Sequence, residues 1–161
     1  MIQVEMAHMY PIPLSEGFAY ITDVNNWGNY WPNFVRIKDP ANARWSKSGD
    51  TVTLVLRLLS REREITMKLE EYKPDFLVAY LSRQTGLPDA HHERHFRAVH
   101  SGFEYRLVVA YAPRPGFVGL LDRSLVRRAV KQALLNTHQN LDAIFRQLAT
   151  NRNPKFSTKG D

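Results

Sequence analysis

Two basic side chains, His92 and Arg94, lie two residues apart in Ala90–Val99, a run that reads as a β-strand. Alternate residues of a strand share a face. His92, Arg94, Phe96 and Ala98 therefore form one face, and His91, Glu93, His95 and Arg97 the other. The first is less polar and carries Phe96, so it is expected to turn inward. A guanidinium removed from water needs a carboxylate, a carbonyl, water or an acidic ligand, because desolvation of an unpaired charge is costly. His92 and Arg94 would give an apolar pocket one polar end, able to orient a carboxylate or phenolate. The competing expectation is an arginine at the cavity mouth, extending its head into solvent. Tyr80 and Tyr105 either add hydroxyls to the pocket or serve as core aromatics.

His91-x-Glu93-x-His95 is the other constellation on that strand. Histidines two apart lie about 7 Å from each other on one face, a geometry that metals use. A third ligand would have to come from His8 or His100, and the spacing matches no specific metal motif. A solvent-facing polar strand is the expectation, and no metal site is assigned. Glu70 and Glu71 are adjacent on a strand, so they are expected on opposite faces, unable to share a proton. There is no cysteine, so thiolate chemistry and disulfides are excluded. No Gly-x-Ser-x-Gly elbow, phosphate-binding glycine loop or dinucleotide fingerprint occurs. No cofactor is expected. The one candidate for acid–base chemistry is His92, the inward group whose ordinary pKa lies nearest neutrality.

The elements that must position these residues follow from patterning. Residues 2–10 alternate, with Ile2, Val4 and Met6 on one face, and Pro11-Ile-Pro13 ends that strand. Ser15 is the expected N-cap of a short helix carrying Phe18 and Ile21. Asp23-Val-Asn-Asn breaks it, and a second short helix presents Trp27, Tyr30 and Trp31 before Pro32. Six strand-like runs come next, about Phe34–Asp39, Thr51–Leu59, Arg63–Tyr72, Phe76–Gln84, Ala90–Val99 and Phe103–Ala112. Short Gly, Pro, Asp and Ser turns separate them and imply antiparallel neighbours. A helix of roughly 30 residues, about Gly119–Ala149, closes the pattern. At about 100° per residue, Val126, Val130, Ala133, Leu134, Thr137, Leu141, Ile144, Phe145 and Leu148 fall in one arc of roughly 120°. One flank of that arc holds only Ala129, Asn136 and Asn140, so it is expected to face space. Pro113–Leu121 joins the last strand to the helix, and its glycines, prolines and Phe117, Leu120 and Leu121 make it a candidate gate.

The 161 residues are 43% hydrophobic, enough for one domain with a real core, expected over 1–149 with a polar tail at 150–161. The net charge of +6 carries no nucleic-acid motif with it, so a solvated basic surface is expected and no nucleic-acid partner. No run of about 18 apolar residues occurs, so no stable membrane insertion is expected. The first residues alternate and lack a basic-then-apolar leader, which points to a cytoplasmic protein.

The order strand, two short helices, six strands, long helix resembles the START-like superfamily, the polyketide cyclase/dehydrase and lipid-transport group that includes pollen-allergen-like proteins. Pro13-Leu-Ser-Glu-Gly-Phe-Ala-Tyr-Ile-Thr-Asp-Val-Asn-Asn-Trp-Gly-Asn-Tyr-Trp-Pro32 is similar to that group's opening helices. The resemblance spans residues 2–149. It implies an α+β helix-grip fold: a curved seven-stranded antiparallel sheet gripping the C-terminal helix, with a cavity between. It also implies a small hydrophobic or amphipathic ligand of lipid, polyketide or quinone type. Met67, Tyr80, His92, Arg94, Phe96, Tyr105, Leu107, Phe117, Leu121, Ala129, Ala133 and Thr137 are the expected lining. Two alternatives stand beside binding. One is a cyclase or dehydratase using His92. The other is a protein- or membrane-interaction module, as in the quinone-chaperone and cochaperone branches, using Arg127, Arg128 and Lys131. No catalytic motif is shared across the group, so no catalytic residue is transferred. Whether the chain self-associates is left open.

Overall fold

The structure is a computed structural model that describes residues 1–58, 60–113 and 122–152. Strand β1 (Ile2–Tyr10) is followed by helix α1 (Leu14–Thr22), a 3-10 turn at Val24–Asn26 and helix α2 (Trp27–Tyr30). Six further strands come next: β2 (Phe34–Ile37), β3 (Thr51–Leu58), β4 (Arg61–Lys73), β5 (Leu77–Arg83), β6 (Ala90–Val99) and β7 (Gly102–Tyr111). A π-helical turn at Asp122–Val126 leads into helix α3 (Arg127–Arg152). The strands make one curved antiparallel sheet in the order β1-β7-β6-β5-β4-β3-β2. The first strand thus returns to pair with the last, and α3 packs closest to β1.

Alternation explains which sheet face is covered. Phe103, Tyr105, Leu107, Val109 and Tyr111 of β7 are all buried, each pairing across from an inward residue of β6 or β1. Opposite them, α3 buries Leu134, His138, Leu141 and Phe145. The buried seam is thus turned toward His138, away from the middle of the expected arc. Leu148 is 38% exposed, and Val126 and Val130 are only partly buried. A polar residue inside the seam is invisible to an apolar count. Here Tyr10 Oη lies 2.6 Å from His138 Nδ1, and His138 Nε2 lies 3.3 Å from the Met6 carbonyl, so its polar atoms are satisfied.

Local chemistry departs from expectation at three more points. Helix α1 starts at Leu14 with Pro13 at its N-cap, so Ser15 lies inside the first turn and makes no capping bond. Proline fits there because the backbone N–H it lacks would have had no intrahelical partner. Strand β4 carries a bulge between Leu69 and Glu71. The bulge breaks strict alternation: Leu69 is buried and Tyr72 packs on Phe18, with both glutamates between them. Glu70 pairs with His91 and Glu71 with Lys73. Helix α3 runs past Ala149 to Arg152, where Arg152 pairs with Glu16 of α1. The rest of the expected tail, 153–161, lies outside the described residues.

The close packing of α1 on the sheet depends on Gly17, which is buried against the Phe103 ring. A Cβ there would land on ring carbons of a side chain that is fully enclosed. Gly17→Ala is therefore expected to lose about 1–3 kcal/mol of stability through overpacking, despite alanine's better helix propensity. Urea unfolding checks this; an unchanged midpoint would mean that α1 can slide off Phe103.

Candidate functional site

A cavity of about 400 Å³ lies between the concave sheet face and the first half of α3. That volume is within the range of roughly 300–1,000 Å³ typical of small-molecule sites. The sheet supplies Leu56, Ile65, Tyr80, Leu107, Val109 and Tyr111; the helix supplies Val126, Ala129, Val130, Ala133, Leu134 and Thr137. Small residues on α3 hold its backbone close to the cavity without filling it. Thr137 Oγ1 is spent on its own helix, donating to the Ala133 carbonyl at 2.9 Å. Leu87 and Pro88, in the β5–β6 turn, form part of the rim, and Leu87 is 42% exposed.

The polar lining is concentrated on β5, the residue just after it and β6, with Ser82, Gln84, His92 and Arg94 all reaching the cavity. The β6 face chosen from parity is the one turned in. Ala90, His92 and Arg94 line the cavity at successive two-residue steps, and Phe96 beyond them is 3% exposed in the core. Phe96 stacks edge-on against Phe18 of α1 at 4.8 Å and lies 5.0 Å from Tyr105. Arg94 therefore stands at the closed end, about 13 Å along the strand from the turn that carries the rim.

Arg94 is only 3% exposed. Its Nη2 donates to Tyr80 Oη at 3.1 Å and its Nη1 to Tyr30 Oη at 3.4 Å. Tyr30 in turn donates to the Ile21 carbonyl at 2.6 Å, which leaves its oxygen's lone pairs facing the guanidinium. The guanidinium carbon lies 5.2 Å from the Trp31 ring centre, 5.1 Å from Tyr80 and 6.0 Å from Trp27. Such cation–π contacts contribute up to about 2 kcal/mol each when desolvated. None of them neutralises the charge, and among the described residues no carboxylate forms an ion pair with Arg94. Arginine does not shed its proton to escape burial. Among the described residues, neither Arg94 Nε nor the hydroxyl of Tyr105 has a hydrogen-bond partner. Burial pushes the Tyr105 phenol well above its ordinary pKa, so it stays a neutral donor.

His92 stacks face to face on Tyr80, with ring centres 4.6 Å apart and planes within 5°. Its Nε2 lies 2.7 Å from Ser82 Oγ. Burial, with Arg94 and His91 adding like charge, lowers its pKa to about 3, so the ring is neutral near pH 7. The part of His92 still accessible opens into the cavity. A histidine of that kind is a good neutral hydrogen-bonding group and a weak base.

Of the twelve residues expected at the site, Tyr80, His92, Arg94, Tyr105, Leu107, Ala129, Ala133 and Thr137 line the cavity. Met67 and Phe96 do not; both are core residues, Met67 sitting opposite Ser82 across β4 and β5. Phe117 and Leu121, with the proposed gate around them, lie outside the described residues. Sequence patterning missed Trp31, Pro32 and Asn33 after α2, and Ser82 and Gln84 near the end of β5. The inward parity of Tyr80 would have found Ser82; nothing local signals that α2 folds over Arg94. On the outer sheet face, His91 Nδ1 lies 3.0 Å from Glu70, and His95 Nε2 lies 2.7 Å from Glu93. Among the described residues no group of three or more such side chains is arranged to hold a metal ion. Arg127, Arg128 and Lys131 are exposed on α3. No described helix is long and apolar enough to cross a membrane.

A sheet wrapped on a long terminal helix, with a cavity between them, defines the helix-grip class. Solved structures share it along nearly the whole chain. The di-domain ARO/CYC protein StfQ from the steffimycin biosynthetic pathway superposes with a TM-score of 0.75 at 12% identity, over 92% of this chain and 51% of that one. A Rhodobacter sphaeroides protein gives 0.72 at 13% identity, covering 91% and 93% of the two chains. Ara h 8.0201 gives 0.68 at 13%, covering 91% and 98%. No family model matches the sequence, and no curated protein does. The chain has the helix-grip fold that these structures share.

Proposed function

We propose that this protein binds a small hydrophobic or amphipathic molecule in the cavity between the sheet and α3. The observation that carries the proposal is the cavity itself, about 400 Å³ of space with a mostly apolar lining inside an otherwise close-packed core. Protein interiors rarely leave voids larger than a water molecule, because unfilled apolar space forfeits dispersion contacts. Space on this scale, walled by Leu56, Leu107, Val109 and Val130, favours a resident ligand over a packing defect. The neighbours named for a biosynthetic ARO/CYC protein and for Ara h 8.0201 support the class without fixing the molecule. The acid–base alternative asks His92 to hold or take a proton near neutrality. An imidazole held near pKa 3 does neither well, which weighs toward binding.

The test is native mass spectrometry on protein purified from cells, followed by thermal unfolding with added apolar probes. A co-purifying small molecule is expected. A probe present at 100 times its dissociation constant should stabilise the fold by about 2.7 kcal/mol. Ala133→Phe, which places a ring in the cavity, should abolish both effects while leaving the protein folded. If Ala133→Phe binds every probe as the parent does, the cavity is not the site.

A further inference from the structure

We infer that the ligand of this cavity is an acid, and that it binds with its anionic group inward against Arg94 and its apolar body toward the β5–β6 turn. This rests on the cavity being a ligand site and adds the chemistry of what enters it. Three observations converge. The first is charge. Arg94 is a fixed cation, 3% exposed, with neutral tyrosines and tryptophan rings around it and no ion-paired carboxylate among the described residues. A buried ion without a counter-charge is held at a penalty of several kcal/mol unless something else neutralises it.

The second observation is donor balance. Arg94 Nε and the Tyr105 hydroxyl are buried donors with no acceptor among the described residues, and both residues line this one cavity. Buried polar groups are nearly always hydrogen-bonded, so two orphans beside one cavity point to an acceptor that is not part of the chain. A carboxylate or enolate oxygen is that acceptor; an alcohol or amine is not a counter-charge. The third is position. Arg94 stands at the end closed by Phe96 and Phe18, whereas the lining toward Leu87, Pro88 and Val126 is apolar apart from the uncharged Gln84. An amphipathic molecule entering past the rim places its charge on Arg94 only if it goes in head first. His92 and Ser82, a neutral hydrogen-bonded pair about one strand step short of Arg94, then lie beside the carbons next to the acid group. They suit an uncharged oxygen there and would disfavour a second cation.

The experiment uses matched pairs differing only in the head group: decanoate against decanol, and naphthoate against naphthylmethanol. Affinities are measured by calorimetry at pH 7.5 on the full chain and on Arg94→Gln and Arg94→Lys. For the parent, the acid is expected to bind about 10- to 150-fold tighter than its alcohol, the contribution of a hydrogen bond to a charged group. Arg94→Gln should bring acid and alcohol to within about twofold, by loss of acid affinity alone, and Arg94→Lys should restore part of the preference. Equal binding of acid and alcohol by the parent overturns the inference and leaves the cavity as a site for uncharged ligands. An acid preference that survives Arg94→Gln places the anion elsewhere and overturns it too. If neither member of either pair binds and Ala133→Phe changes nothing, the cavity is not a ligand site and both proposals fall.

Discussion

Replacing Arg94 with methionine stabilises the ligand-free protein, by about 1–4 kcal/mol, although it removes two hydrogen bonds and three ring contacts. The sign follows from what the guanidinium lacks. Its bonds to Tyr80 and Tyr30 are neutral-acceptor bonds, and each is worth a net of roughly 1–3 kcal/mol even with a charged donor. The desolvation of an unpaired ion exceeds them. Methionine is unbranched and flexible, so it takes the place of the arginine stem, and the space the guanidinium leaves joins the cavity that Arg94 already borders. Tyr30 keeps its bond to the Ile21 carbonyl, and Tyr80 Oη loses the Arg94 donor but borders the cavity, where water takes the donor's place. Urea unfolding of the two proteins at pH 7.5, compared through their midpoints at constant slope, makes the measurement. A saturating acid ligand should stabilise the parent and leave the variant nearly unmoved. A residue that weakens the fold it sits in, and strengthens it once a ligand arrives, is retained for the ligand. Arg94→Met unfolding more easily than the parent by over 1 kcal/mol would instead make Arg94 a structural residue.

The second large effect is acid lability well above the carboxylate range. His138 is 3% exposed, and burial, with His8 nearby adding like charge, lowers its pKa to about 4 against an ordinary 6.5. His92 is lowered further, to about 3, by burial and by Arg94 and His91. Both values are depressed on folding, so the unfolded chain takes up protons first as pH falls. The neutral histidines' contribution is complete above about pH 6.5 and is lost as pH drops from there toward 4 and 3. For His138 alone, binding a proton in the unfolded chain at 6.5 and in the folded one near 4 corresponds to roughly 3 kcal/mol. The groups facing His138 are Tyr10, Tyr105 and His8, with His8 itself 3.1 Å from Asp142. Asp142 is held below the usual carboxylate range by Arg146 first and His8 after it, so its own contribution fades only at lower pH.

The expected result is a steep fall in the urea midpoint between pH 7 and pH 5, where histidines titrate in the unfolded chain. His138→Gln should be less stable than the parent at pH 7.5 through its poorer fit to Tyr10, and its loss between pH 7 and 5 should be visibly shallower. Parallel curves for the two proteins would remove His138 as the cause.

Local patterning determined much of this molecule. Period-two alternation in Phe103–Tyr111 and the i, i+7, i+11 spacing of Leu134, Leu141 and Phe145 set the element types, because strand and helix each present one face to a core. The order of elements then left few ways to bury those faces, and the helix-grip arrangement is the one observed. Parity on Ala90–Val99, anchored by Phe96, was enough to turn His92 and Arg94 toward the cavity. The small side chains at Ala129 and Ala133 marked where α3 borders space.

Only the tertiary structure decided what surrounds those residues. Tyr30 and Trp31, more than sixty positions before Arg94 in the chain, close over the guanidinium because α2 packs beneath α3, where Asn140 donates to the Tyr30 carbonyl at 3.0 Å. No periodicity predicts a contact across that separation. The same holds for His138, which is polar in composition yet buried by partners supplied from β1, and for the bulge at Leu69–Glu71, which turns two glutamates outward together. Sequence fixes which face of an element is apolar, since that depends on neighbours three or four residues away. Whether a polar group on that face finds a partner depends on segments that meet only after folding, and Arg94 finds no counter-charge among the described residues.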